Sequence, residues 1–218
     1  MGKFKGVIFD ADGTLLDSMS IWRNLGEWYL QKKGIVARPG LFHDLQGFGM
    51  DGVMRYLKET YDLREDIPQI TKEITELVED FYIHKVQAKS GVREFLQKLA
   101  ERGIPGCVAT SNYRYLVEPA LKRCGISAYL PELFTTIELE TAKDTPFIYQ
   151  HAAGYLGTKT EETLVFEDAL HAVRTARLAG FPVVAVLDDS ERENRDAVKA
   201  LTDLVIETFY EAEGILDA

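Results

Sequence analysis

Apolar and polar positions alternate along this chain in two different rhythms. Phe4 to Phe9 is β-rich and nearly all apolar, the pattern of a strand buried on both faces. Ser18 to Lys33 instead carries Ile21, Trp22, Leu25, Trp28 and Tyr29 at helical spacing. It closes on Lys32-Lys33-Gly34, a basic last turn followed by a glycine stop. Asp51 to Thr60 and Ile67 to Val86 also predict helices, so 17–86 reads as helix after helix with no strand. From Gly91 the rhythm changes. Helices are predicted over Val92–Arg102, Tyr115–Arg123, Thr145–Leu156, Ala169–Ala179 and Glu191–Ala200. Strands are predicted between them over Gly106–Ala109, Leu133–Thr135, Thr163–Phe166, Pro182–Leu187 and Asp203–Ile206. Such alternation means βαβ units, a parallel sheet and helices on both faces. The expected fold is α/β: a doubly wound, Rossmann-like core made of 1–16 and 87–218, with an all-helical insert at 17–86.

A doubly wound sheet binds its ligands beyond the carboxyl ends of the strands. The first strand runs into Asp10-Ala11-Asp12-Gly13-Thr14, the second into Thr110-Ser111-Asn112, and the fourth into Glu167-Asp168. Lys143 opens the helix after the short third strand. Asp10 and Asp12, two apart on extended backbone, point the same way, and Gly13 permits a sharp turn after them. Asp168, with Glu167 beside it, adds negative charge from a neighbouring strand. Carboxylates gathered like this protonate or bind a cation, and hard oxygen ligands suit Mg²⁺. A metal held by carboxylates, with Lys143 and the Thr110 hydroxyl, is a set that handles phosphate. One carboxylate in line with phosphorus can act as nucleophile, and another can protonate the leaving alcohol and then activate water. Each piece alone has a bland reading: an Asp-x-Asp pair is a turn, Lys143 a solvated surface lysine, Thr110-Ser111-Asn112 a helix N-cap. Their order along one sheet rim is what points to chemistry.

These segments resemble a known family. Phe9-Asp10-Ala11-Asp12-Gly13-Thr14-Leu15-Leu16-Asp17-Ser18 is similar to the first motif of the haloacid dehalogenase-like (HAD) hydrolase superfamily. Val108-Ala109-Thr110-Ser111-Asn112 resembles its second motif, Ala142-Lys143 its third and Val165-Phe166-Glu167-Asp168-Ala169 its fourth. The insert resembles the helical C1 cap of the β-phosphoglucomutase-like and phosphoglycolate phosphatase-like branch of subfamily I. The resemblance implies Asp10 as nucleophile and Asp12 as general acid and base. It implies a Mg²⁺ cofactor on the side chains of Asp10 and Asp168 and the main-chain carbonyl of Asp12. It also implies a phosphoryl group held by Thr110 and Lys143, with Glu167 as an outer or occasional direct ligand. The chain departs from the branch at Asp144 and Phe147, where the usual run is Gly-Lys-Pro-x-Pro-Asp, and at Ala169-Leu170-His171-Ala172, where Ser-x-x-Gly is common. Sugar phosphomutases of the branch tend to carry a His on the first cap helix and an Arg in a cap loop. Trp22 and Met50, the latter within Leu45-Gln46-Gly47-Phe48-Gly49-Met50, stand at the matching places. A phosphatase acting on a small phosphorylated metabolite, with an apolar or lightly charged leaving group, is therefore expected ahead of a phosphomutase. Dehalogenation and phosphonate cleavage fit less well, because Asp12 is present. A receiver-like phospho-Asp signalling domain is disfavoured by the helical insert and by that same second acid. Trp28 and Tyr29 are expected in the helix–helix core.

Composition adds bounds. The 218 residues carry 25 Lys and Arg against 35 Asp and Glu, a net charge of −10, which argues against nucleic acid or an anionic membrane as partner. No stretch approaches the ~20 apolar residues of a membrane helix. Met1 to Gly6 has no basic segment followed by a long apolar one, so no secretory leader is expected. Cys107 and Cys124 read as two buried thiols and the protein as cytoplasmic. His43, His84, His151 and His171 lack ligand spacing, with only His171 near the fourth motif. The acidic run from Asp188 to Glu191 reads as a solvated helix start.

Overall fold

The computed structural model describes residues 4–45 and 48–217. Chain contacts divide it into two compact units, one of Met1–Ser18 with Val86–Ala218 and one of Met19–Lys85.

The larger unit is built on six parallel strands: β1 (Gly6–Phe9), β2 (Gly106–Thr110), β3 (Leu133–Thr135), β4 (Thr163–Glu167), β5 (Val183–Val186) and β6 (Leu204–Ile206). Their order is β3-β2-β1-β4-β5-β6. Phe9 pairs with Val108 on one side and with Phe166 on the other, so the direction of winding reverses beside β1. That reversal opens the crevice in which such sheets place ligands. β1, β2, β4 and β5 are buried at every position, which is why they read as continuous apolar runs instead of alternating ones. Odd and even positions still serve different faces. Ile8, Cys107, Ala109 and Val165 pack with Ile148, Tyr149, Ala152 and Phe181 on one side. On the other, Phe9 stacks on Phe166 at 4.9 Å and Phe166 on Phe209 at 5.3 Å, with Phe95 edge-on at 5.4 Å from Phe166. At roughly 1.5–3 kcal/mol for each buried large apolar side chain, these layers hold the strand ends in place.

The helices of this unit are α5 (Val92–Glu101), α6 (Arg114–Arg123), α7 (Phe147–Leu156), α8 (Leu170–Leu178) and α9 (Arg195–Leu201). Two departures from the sequence reading stand out. The predicted helix from Glu191 to Ala200 is split, with 3₁₀ turns over Asp189–Asn194 before α9. Its acidic run is not simply solvated. Asp188 is 9% exposed, lies 2.8 Å from the Lys89 ammonium, and accepts hydrogen bonds from the Ser190 N–H and hydroxyl. A 3₁₀ segment over Phe209–Asp217, not predicted, buries Phe209, Ala212 and Ile215 against the sheet unit's core.

The smaller unit holds α1 (Met19–Lys32), α2 (Leu41–Leu45), α3 (Met50–Thr60) and α4 (Ile67–Asp80). Ile21, Leu25 and Tyr29 on α1 and Ile70, Ile74 and Val78 on α4 are buried at four-residue spacing. Asp66 caps α4 by accepting from the Gln69 N–H at 2.9 Å, and Pro68 fits the first turn. The helix predicted to run on to Val86 changes hand-hold at Phe81, where one π-helical turn spans Phe81–Lys85. Tyr29 is buried, as expected of the helix–helix core, and Trp28 packs 6.0 Å from Phe81. Trp22, Phe48 and Met50 are 36%, 49% and 40% exposed, so they are not core. Gln46 and Gly47 of the loop singled out above lie outside the described residues. No helix among the described residues is long and apolar enough to cross a membrane.

Candidate active site

The chain leaves β1 at Phe9 and turns at once. The Ala11 carbonyl accepts from the N–H groups of both Leu15 and Leu16, and Gly13 takes φ 79°, a left-handed conformation costly for a side-chain-bearing residue. Because the strand has ended, the two-residue repeat no longer governs Asp10 and Asp12, and their side chains meet different partners. Asp10 pairs with the Lys143 ammonium. Asp12 accepts from the Ser18 hydroxyl at 2.6 Å on Oδ1 and from the Asn112 amide at 2.8 Å on Oδ2.

Lys143 is 5% exposed, so the surface reading of this lysine fails. Its ammonium bridges Asp10 and Glu167 and lies 5.8 Å from the Tyr149 ring centre. Glu167, the last residue of β4, accepts three hydrogen bonds. Its Oε1 accepts from Lys143 and from the Tyr149 hydroxyl at 2.8 Å, and its Oε2 accepts from the Asp168 N–H at 3.2 Å. The Thr14 hydroxyl donates to Asp168 at 3.4 Å. On β2, the Thr110 hydroxyl accepts the Asn112 N–H at 3.1 Å, and Asn112 Oδ1 accepts the Tyr113 N–H at 2.7 Å; these bonds order the loop, while α6, whose N-cap is Tyr113, has no side-chain cap, so the N-cap expected of Thr110-Ser111-Asn112 does not form.

Asp10, Glu167 and Asp168 bring carboxylate oxygens within 4.8 Å of one another, all three buried. Burial is the main force on Asp10, whose carboxyl is pushed up to about 8; Lys143 opposes that, and the negative charge of Glu167 and Asp12 reinforces it. Asp168 is driven well above the usual carboxylate range by burial and then by Asp10 and Glu167. One lysine does not balance this much buried negative charge. Clustered hard oxygens with surplus negative charge fit a small divalent cation. The Asp12 carboxylate, held by Ser18 and Asn112, is outside the cluster. The histidines lie elsewhere, all four exposed, with His151 edge-on at 4.9 Å to Phe134.

Sequence reasoning selected Asp10, Asp12, Thr110, Lys143, Glu167 and Asp168. The structure brings Asp10, Lys143, Glu167 and Asp168 into direct or near contact, and links Asp12 to the Thr110 loop through Asn112. Tyr149 and the pairing roles of Ser18 and Asn112 were missed. Tyr149 sits in an apolar helical stripe that reads as core, and only its hydroxyl reaches the site.

The haloacid dehalogenase-like hydrolase family model matches residues 7–186, which include all four site segments. Hexitol phosphatase A of Escherichia coli strain K12 is 28% identical over 185 residues, covering 84% of this chain and 82% of its own length. Protein SUPPRESSOR OF QUENCHING 1, chloroplastic, of Arabidopsis thaliana is 28% identical over 189 residues, but the matching 85% of this chain spans only 18% of that protein. Among solved structures, a HAD family hydrolase from Deinococcus radiodurans R1 with bound phosphate and sodium superposes with a TM-score of 0.78 at 21% identity, covering 99% of this chain and 96% of its own. The fold, the four site segments and the phosphatase relatives agree: this chain is a phosphatase and belongs to the haloacid dehalogenase-like hydrolase family.

Proposed function

We propose that this phosphatase releases phosphate from a small phosphorylated metabolite through an aspartyl-phosphate on Asp10, with Mg²⁺ as its cofactor. The observation that carries the reading is the buried contact of Lys143 with Asp10 beside the Asp10–Glu167–Asp168 cluster. A nucleophilic carboxylate, a fixed cation and a carboxylate metal site together serve phosphoryl transfer. Asp10 and Asp168 would hold the metal, with the main-chain carbonyl of Asp12. When bound, Mg²⁺ supplies positive charge against the phosphoryl oxygens.

An Asp10 oxygen forms a bond to phosphorus while the bond from phosphorus to the leaving oxygen breaks, and Asp12 gives that oxygen its proton. Asp12 then takes a proton from water, the water oxygen bonds to phosphorus, and the bond from phosphorus to Asp10 breaks. Lys143 spends two N–H groups on Asp10 and Glu167 and in this reading gives its third to a phosphoryl oxygen. Thr110, at the end of β2, gives its hydroxyl to the same group.

The helical unit serves as the cap that sets specificity. Its exposed Trp22 and Met50 offer apolar surface where a phosphomutase would use His and Arg, which supports hydrolysis and a leaving group of low charge. Cys107 and Cys124 are both free, which supports a reducing, cytoplasmic setting. With Mg²⁺, the protein should hydrolyse p-nitrophenyl phosphate. Asp10→Asn should fold and lose that activity by at least a thousandfold, on the order reported for removal of catalytic nucleophiles. Full activity in Asp10→Asn would remove Asp10 from the mechanism.

A further inference from the structure

We infer that Asn112 is a positioning residue that holds the Asp12 carboxyl plane for proton transfer to the leaving group. The inference rests on the reading of Asp12 as general acid. Asp12 has two rotatable side-chain bonds. Its two oxygens are tied from two places. Ser18 Oγ, six residues on in the same loop, reaches Oδ1 at 2.6 Å, and Asn112 Nδ2, one hundred residues away on the β2 loop, reaches Oδ2 at 2.8 Å. A donor on each oxygen restrains the carboxyl plane more than a donor on one oxygen does. Each carboxyl oxygen has two lone-pair sites, so accepting the Asn112 amide does not by itself saturate Oδ2.

The side-chain type is dictated by its neighbours. Asn112 Oδ1 accepts the Tyr113 N–H at 2.7 Å, so the atom facing Asp12 must be the NH₂ group. This place therefore needs one acceptor and one donor on a single short side chain. An aspartate there keeps the acceptor for Tyr113 but loses the donor and sets an anion against Asp12. An alanine loses both. Asn112 is 9% exposed, so water has little access to replace its amide.

Misplacing a reacting group by about 1 Å costs up to ~10²-fold. The cost falls where protonation matters most, on poor leaving groups. The test is kcat/KM with Mg²⁺ on p-nitrophenyl phosphate and on phenyl phosphate, for the wild type, Asn112→Asp, Asn112→Ala and Asp12→Asn. This parameter covers the steps up to alcohol release, in which Asp12 donates its proton. We expect both Asn112 variants to lose about tenfold or more on phenyl phosphate beyond any loss on p-nitrophenyl phosphate. Asp12→Asn should show the same skew more strongly. Equal losses on the two substrates, or none, in Asn112→Asp while Asp12→Asn is skewed would overturn the inference and leave Asp12 as general acid. No skew in Asp12→Asn would overturn both. Asn112→Asp retains the acceptor for the Tyr113 N–H, so a loss confined to Asn112→Ala marks a loop-folding role and also overturns the inference.

Discussion

A buried carboxyl with its proton held tightly is a stability element with a definite sign. Asp10 titrates near 8 in the folded chain against about 3.9 when unfolded, so the folded state binds the extra proton between those values. Stability of the metal-free protein therefore falls as pH rises across that window, and Asp168, also raised, adds to the fall. A divalent cation reverses the penalty by favouring the ionised forms. The melting temperature in chelator should decline from pH 5 to pH 8, and added Mg²⁺ should raise it more at pH 8 than at pH 5. An increment independent of pH would contradict the placing of surplus negative charge at this cluster. At this scale the sequence was informative about which residues matter and poor on what they touch. Asp10 and Asp168 were legible because each follows a strand end, and Lys143 by its order between them, although it lies in a turn four residues before α7 and does not open that helix. Asp188 was misread as solvated, since its partner Lys89 is 99 positions away and no local pattern announces it. Asn112 was read only as a cap, because its contact with Asp12 depends on β1 and β2 lying side by side.

At the scale of elements, the sheet was legible from apolar runs between helical stretches, edge strands β3 and β6 included, and the irregular helical turns were not. The 3₁₀ segment over Phe209–Asp217 escaped notice because its buried Phe209, Ala212 and Ile215 recur every third residue, the period of a 3₁₀ helix and of neither a strand nor an α-helix. The π turn at Phe81–Lys85 escaped because its apolar residues suit an ordinary helix equally well. That C-terminal segment nonetheless dictates a residue elsewhere. Phe209 donates its N–H to the Ser90 carbonyl at 2.9 Å, which lays the following backbone directly over Gly91. Gly91 has φ 82°, and a Cβ there would come within 2.7 Å of the Tyr210 nitrogen. Since the obstacle is backbone and the conformation is left-handed, Gly91→Ala has no inexpensive escape. It should cost about 2–5 kcal/mol, the sum of a left-handed penalty and an overpacking penalty. Urea unfolding monitored by circular dichroism measures it, and a loss below ~0.5 kcal/mol would mean that the segment does not bear on Gly91. The smaller unit has a corresponding weak point in acid. The Glu73 carboxyl, held down to about 2 chiefly by Lys33, stabilises above its usual range and releases that stability as pH falls toward 2.

For the molecule as a whole, the net charge of −10 opposes an anionic substrate at long range, while Lys143 and a bound cation attract it only at close quarters. The two ranges can be separated with salt. At ~0.01 M ionic strength the screening length is ~30 Å, so an approaching phosphate dianion feels the charge of the entire chain. At ~0.15 M it is ~8 Å, and the dianion feels little beyond the site itself. Buried contacts such as Lys143 with Asp10 are screened far less, so the chemistry inside the site should change little over the same interval. Capture should therefore improve with salt, the reverse of an enzyme whose overall field guides its substrate in. With Mg²⁺ held saturating and an inert salt such as NaCl, kcat/KM for an aryl phosphate should rise by roughly two- to fivefold between these ionic strengths, with kcat nearly constant. The acidic excess is also why the site must build its own positive potential from the buried Lys143 and, in the proposed reading, a divalent cation, instead of borrowing it from the surface. A fall in kcat/KM with added salt would show that the local field reaches beyond the rim and outweighs the rest of the chain.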